Sequence, residues 1–264
     1  MNLNILWPIL GTSFIFLMTT LGSAMVFFFR REIKEDIQRI FLGFAAGVMI
    51  AASVFGLLVP AIEDLEARGI ISWIPVSIGF LGGVFTILIL DKIIPHLHPV
   101  ENKTEGIPSN LKRTSLLITA VTIHNIPEGI AVGLSFALAS QNSNDPSFLA
   151  SAIGLALGIG IQNFPEGAAV SLPLRREGFG TFKAFIYGSL SGIVEPIFGI
   201  LTVFITSSLG SLMPWLLSFS AGAMMYVVVE ELIPEANFSK HSDSGTLSVM
   251  FGFVLMMILD IALG

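Results

Sequence analysis

Residues 122–132 read TIHNIPEGIAV, and residues 160–170 read GIQNFPEGAAV. Both contain Asn-x-Pro-Glu-Gly, the copies lie 38 residues apart, and each sits deep inside apolar sequence. A glutamate is costly in apolar surroundings, and a proline removes a helix hydrogen bond. A chain that places both there, twice, has a use for them.

The composition identifies the surroundings. Of 264 residues, 53% are hydrophobic and 12% are charged, with a mean hydropathy of +0.84. Soluble domains carry about 25% charged residues. The 26 glycines suit closely packed membrane helices. These values exclude a soluble enzyme with a single anchor and predict a single polytopic membrane domain over 1–264. The net charge of −6 and the absence of any basic patch offer nothing to nucleic acid. Cysteine is absent, so there is neither a disulfide framework nor a thiolate metal site.

A membrane-crossing helix needs about 20 apolar residues. Eight stretches qualify, at about 5–29, 40–62, 73–94, 114–139, 148–173, 181–205, 214–234 and 246–263. The first runs directly into FFFRR without a basic leader or a small-residue cleavage site, and it reads as a true span rather than a signal peptide. Basic residues test the count. Arg30, Arg31, Lys34 and Arg39 follow span one; Lys92, Lys103, Lys112 and Arg113 follow span three. Arg175, Arg176 and Lys183 follow span five, Lys240 follows span seven, and Arg68 alone lies in the alternate connections. Positive residues mark the cytoplasmic side. The expectation is therefore an all-α, multi-pass protein of the cell (inner) membrane with both termini outside. Its longest connection, about 95–113, is cytoplasmic, rich in turn formers and expected to be mobile; it carries His96 and His98, a weak His-x-His metal pattern.

Ionisable groups inside spans point to function. Span four holds His124, Asn125 and Glu128; span five holds Gln162, Asn163 and Glu166; span six holds Glu195. Positions i and i+4 share a helix face, so His124 projects with Glu128, and Gln162 with Glu166. Spans four and five are antiparallel neighbours, which lets the two faces oppose one another. Pro127 and Pro165 predict kinks that free the carbonyls of Ile123 and Ile161. Pro196 repeats the device beside Glu195. Glu230 and Glu231 lie at the inner end of span seven. Glu63, Asp64 and Glu66 lie just beyond span two and read as a solvated outer loop.

Several carboxylates share low-dielectric surroundings only if they are protonated or paired. No Lys or Arg inside a span pairs them, so a cation or protons must. Nitrogen and oxygen ligands without sulfur suit Zn²⁺, Fe²⁺, Mn²⁺ or Cd²⁺. Two divalent ions would nearly balance three glutamates, and one carboxylate could bridge them.

HNIPEG followed by QNFPEG in the next span resembles the ZIP (Zrt-, Irt-like protein) family of divalent metal transporters, and EELIPEA in span seven resembles its bacterial GufA-like branch. The resemblance covers the whole chain. It implies uptake of divalent metal, most often zinc, into the cytoplasm; the metal is cargo, not a cofactor. It implies ligation by His124, Asn125, Glu128, Gln162, Asn163, Glu166 and Glu195, with Glu230 and Glu231 assisting near the inner exit. It also implies movement of spans one, four, five and six against spans two, three, seven and eight. Gln162 and Asn163 stand where other members carry histidine and aspartate, which weakens the second position. The implied partners are metal ions and the lipid bilayer; a homodimer is admitted but nothing in the sequence sets it. The competing readings are a proton- or sodium-coupled carrier of an organic solute and an intramembrane metalloprotease. The second lacks the His-Glu-x-x-His pattern.

Overall fold

The computed structural model describes residues 3–29, 35–98, 103–105, 113–208, 210–236 and 243–263. Eight helices are long and apolar enough to cross a membrane. They are Ile5–Phe27, Asp36–Ala67, Trp73–Ile93, Ile118–Gln141, Pro146–Arg175, Thr181–Thr206, Gly210–Leu232 and Ser244–Leu263, called spans one to eight below. Span two outruns its expected end. The charged triplet Glu63, Asp64 and Glu66 stays helical rather than forming a loop, with Arg68 pairing Asp64 at 2.7 Å and Ser72 donating to Glu66 at 3.2 Å. Span five starts at a built cap. Asp145 accepts the Ser147 hydroxyl at 2.6 Å and the Ser147 amide at 3.0 Å, and these two bonds hold its carboxyl below the ordinary aspartate range.

The connection after span three departs from the irregular segment expected of it. His96–His98 (β1) pairs antiparallel with Lys103–Glu105 (β2), with His96 opposite Glu105 and His98 opposite Lys103. The remainder of 95–113, apart from Pro95 and Arg113, lies outside the described residues.

Two spans carry a widened turn. Span two is π-helical over Ala52–Leu58 and span seven over Val228–Leu232, where Val59 bonds back to Val54 and Ile233 to Val228. Each segment ends two residues before a proline, Pro60 or Pro234. A proline cannot donate to the carbonyl four residues back, and its ring crowds that carbonyl, so the helix relaxes into longer bonds.

The outside of the bundle is apolar. Ile74, Ile78, Leu81, Phe85, Ile89 and Ile93 form one exposed stripe along span three, at helical spacing. Such a stripe faces lipid; the buried polar residues gather at the centre of the bundle instead.

The spans pack in pairs, one with five, four with six, two with eight and three with seven. Glycine makes the pairing close. A Cβ on Gly83 of span three would collide with the Phe219 carbonyl oxygen of span seven, and one on Gly222 with the Phe80 carbonyl. Gly22 and Gly167 do the same for spans one and five, against the carbonyls of Phe164 and Thr19. Backbone cannot yield as a side chain can, so these seams are rigid. Between the groups the contact is looser, and a Cβ on Gly154 of span five would stand 3.2 Å from the Leu259 carbonyl oxygen of span eight. A Cβ on Gly56 of span two would meet the Leu155 side chain of span five at 3.0 Å, and one on Gly158 would meet the Met256 side chain. The bundle thus divides into spans one, four, five and six, and spans two, three, seven and eight.

Candidate metal site

Spans four and five stay helical through Pro127 and Pro165, so the repeated motif keeps helical spacing. Antiparallel packing brings the two copies together. Gln162 donates from Nε2 to Oε1 of Glu128 at 2.7 Å, joining the first residue of QNFPEG to the carboxylate of HNIPEG. Asn163 donates from Nδ2 to Oε1 of Glu195 at 3.1 Å, which ties span six to the same place.

Span six is not the continuous helix expected. It is helical over Thr181–Ser191, turns at Gly192 and Ile193, and restarts as Val194–Ser208. Pro196 therefore lies in the first turn of a new helix, where its missing N–H costs nothing, and does not act as an internal kink. Glu195 sits in that same first turn, at a helix N-terminus that favours negative charge. Asn125 stabilises the break by donating from Nδ2 to the Ser191 carbonyl at 3.2 Å. Gly129 allows the approach, since a Cβ there would collide with the backbone of Glu195.

His124 finds its partner across the bundle. Its Nε2 lies 2.6 Å from Oε1 of Glu231, carried on the widened turn of span seven. Glu231 is buried, whereas its neighbour Glu230 is exposed and does not join the cluster. Glu166 lies within electrostatic reach of Glu128, Glu195, His124 and Glu231. Four acidic groups and one imidazole thus act on one another at the centre of the chain. His96 and His98 belong to β1, beyond the end of span three at Ile93.

Asn125, Glu128, Gln162, Asn163 and Glu195 are all buried to 1% exposure or less. In each, one oxygen has no hydrogen-bond partner: Asn125 Oδ1, Glu128 Oε2, Gln162 Oε1, Asn163 Oδ1 and Glu195 Oε2. The amide nitrogen of each Asn and Gln donates to a neighbouring carboxylate or to backbone, so the amides turn their nitrogens away from these oxygens. A buried oxygen left unbonded costs about 1–3 kcal/mol. A cation removes that cost at several oxygens together. Among the described residues no three His, Asp or Glu side chains converge on one point as a closed metal centre would require. The donor set is instead carboxylate, amide and imidazole, which matches a cargo that must also leave.

Two contributors carried no sequence signal. Thr19 of span one donates to Oε1 of Glu195 at 3.1 Å, and Ser220 of span seven donates to the Pro127 carbonyl at 3.0 Å. Hydroxyl residues in apolar helices ordinarily bond their own backbone, so neither stands out in the sequence.

A family model described as ZIP Zinc transporter matches residues 105–260. The chain belongs to the ZIP family. Relatives extend the match over the full length. Zinc transporter ZIP11 of Homo sapiens is 35% identical over 99% of this chain and 98% of its own. Zinc transporter ZIPB of Bordetella bronchiseptica is 35% identical over 98% of this chain and 82% of its own. Zinc transporter GufA of Myxococcus xanthus is 33% identical over 88% of this chain and 90% of its own. This ZIP protein is accordingly a multi-pass membrane transporter of divalent metal and not an enzyme.

Proposed function

We propose that the chain carries divalent metal into the cytoplasm, zinc first and also Fe²⁺, Mn²⁺ and Cd²⁺, through the buried cluster of spans four, five and six. The observation that supports this most directly is the set of five buried, unbonded oxygens beside His124 and Glu166. His124, Asn125, Glu128, Gln162, Asn163, Glu166 and Glu195 are the proposed ligands. Glu166 bridges two ions. Glu231 receives metal from His124 on the way in, and Glu230 follows. Kinks at Pro127 and Pro165 free the carbonyls of Ile123 and Ile161 toward the same region. Spans one, four, five and six move as a body, an idea that the tight backbone seams within each group and the looser contact between groups both favour.

Orientation follows from the basic residues, with both termini outside. The chain has no native cysteine, so single cysteines report cleanly. Gly180→Cys has open space around its Cβ, and Ser143 is exposed in the connection between spans four and five. A membrane-impermeant maleimide should reach Ser143→Cys from outside intact cells and Gly180→Cys only after permeabilisation. Equal labelling of both in intact cells refutes the orientation.

The function itself is tested by uptake into proteoliposomes across a metal panel, at two pH values. Ligation needs neutral imidazole and ionised carboxylate. An ordinary histidine gains its proton near pH 6.5. Protons therefore compete increasingly as pH falls, and the KM for zinc should rise between pH 7.5 and 5.5. A KM that stays flat over that interval argues against a His-carboxylate site, and saturable uptake of an organic solute with indifference to metal argues against the whole proposal.

A further inference from the structure

The structure assigns Thr19 of span one as the residue that positions Glu195 and limits it to one oxygen toward the cargo. This inference rests on the metal-carrier reading above. Thr19 and Glu195 are both fully buried. The Thr19 hydroxyl lies 3.1 Å from Oε1 of Glu195 and 3.3 Å from the Ile15 carbonyl of its own helix. Its one hydrogen goes to the carboxylate, which is the nearer and the stronger acceptor. Back-bonding to Ile15 would be the ordinary fate of a threonine in a membrane helix.

Thr19 is fixed from three sides. Its backbone carbonyl closes against Gly167, the residue after Glu166. A Cβ on Gly192, at the break in span six, would meet the Thr19 side chain at 3.0 Å. The hydroxyl then reaches the carboxylate that follows the break. One threonine thus joins span five, beside its carboxylate, to span six, beside its own.

The hydrogen-bond pattern gives this joint a chemical consequence. Oε1 of Glu195 takes two donors, Thr19 Oγ1 and Asn163 Nδ2, while Oε2 takes none. A carboxylate oxygen that already accepts two hydrogen bonds is a poor metal ligand, so Glu195 presents a single oxygen. One-oxygen ligation suits a small ion of low coordination number such as Zn²⁺. Larger ions, which collect more oxygens, gain from a carboxylate that binds through both. Thr19 therefore acts through Glu195 on the ranking of metals, and it touches no metal itself.

A double-mutant cycle separates this role from packing. Thr19→Val keeps the shape and removes the hydroxyl; Thr19→Ser keeps the hydroxyl and removes a methyl. Each is made in the wild-type chain and in Glu195→Gln, and Zn²⁺ and Cd²⁺ affinities are measured on the purified full-length protein, alongside uptake. Loss of a hydrogen bond to a metal ligand weakens binding by about 10- to 100-fold. Thr19→Val should weaken Zn²⁺ by about tenfold and Cd²⁺ by less, Thr19→Ser should restore the wild-type ranking, and in Glu195→Gln the valine should change little. Equal losses from Thr19→Val in both backgrounds, as a folding or packing defect would give, overturn the assignment. So does a Thr19→Ser variant as impaired as the valine. A wild-type protein that neither binds nor takes up divalent metal refutes the carrier reading, a result distinct from wild-type uptake with no coupling between Thr19 and Glu195.

Discussion

Replacing Glu166 with alanine should reduce metal uptake to the level of empty vesicles, while replacing Asn163 with alanine should leave a measurable rate. Glu166 stands within reach of Glu128, Glu195, His124 and Glu231, so its charge is felt by every other ionisable member of the cluster. A carboxylate has two oxygens, each able to hold a separate ion. Its loss removes a ligand and a negative charge from both proposed positions. Asn163 contributes a neutral oxygen and one bond to Glu195, whose Oε1 keeps the Thr19 hydroxyl in the variant. Its removal should weaken uptake by about tenfold, the scale of a lost supporting contact, and shift the ranking of Zn²⁺, Cd²⁺, Mn²⁺ and Fe²⁺. Initial rates for the four metals, at matched protein in the membrane, decide this. Normal transport by Glu166→Ala would end the bridging model. An Asn163→Ala variant as inactive as Glu166→Ala would make the second position indispensable.

The spans were legible because the membrane imposes a plain rule. Every stretch of about 20 apolar residues must cross, and basic residues alternate around those that do. The rule fails where hydropathy and helix part company. Span two stays helical through Glu63, Asp64 and Glu66 because its last turns need no lipid. Span six breaks at Gly192 and Ile193 within a stretch apolar enough to read as one span, because Asn125 of another span takes up the Ser191 carbonyl. A local reading assigns the break to Pro196, which is the nearest helix breaker, yet the partner that permits it lies 66 residues away in sequence.

The candidate site shows the same division. The repeated motif singled out residues that the fold brings together, Gln162 with Glu128, because two antiparallel copies present the same face, and the intramembrane glutamate of span six, Glu195, joins them through Asn163. The pairing of His124 with Glu231 depends on a widened turn in span seven, and no periodicity foretells which of two adjacent glutamates that turn directs inward. Charge offers a reason for the arrangement. Four glutamates and a single imidazole act on one another, and the basic residues of the spans that carry them, Arg175 and Lys183, lie at the span ends. The neutral form of such a cluster needs protons or about two divalent ions, and a carrier must pass through both conditions in each cycle.

Locking the two groups of spans together should stop transport and leave the protein folded. The seam between spans two and five supplies the lock. A Cβ on Gly56 would stand 3.0 Å from Cδ1 and 3.7 Å from Cγ of Leu155. In Leu155→Cys the sulfur takes nearly the Cγ position, so a cysteine at each site faces the other across this seam, and a small approach of the two helices closes the bond; a disulfide needs Cβ atoms about 3.8 Å apart. No native thiol competes. At Gly22, Gly83, Gly167 and Gly222, within the groups, backbone meets backbone, and sliding would drive a carbonyl into a neighbouring helix. Across this seam a leucine side chain meets a glycine, and sliding costs only a change of side-chain contact. The His124–Glu231 pair and the bond from Ser220 to Pro127 also cross between the groups, and both must break when the groups move. Each is replaceable, the first by metal on His124 and the second by another donor. The double variant Gly56→Cys, Leu155→Cys should transport when reduced, lose transport on oxidation, and regain it with reductant, while each single variant ignores the oxidant. Mass spectrometry of the linked peptides establishes that the bond has formed. A protein shown to be fully cross-linked that still moves zinc at the reduced rate would mean that spans two and five travel together, and the division of the bundle into moving and fixed halves would have to be redrawn.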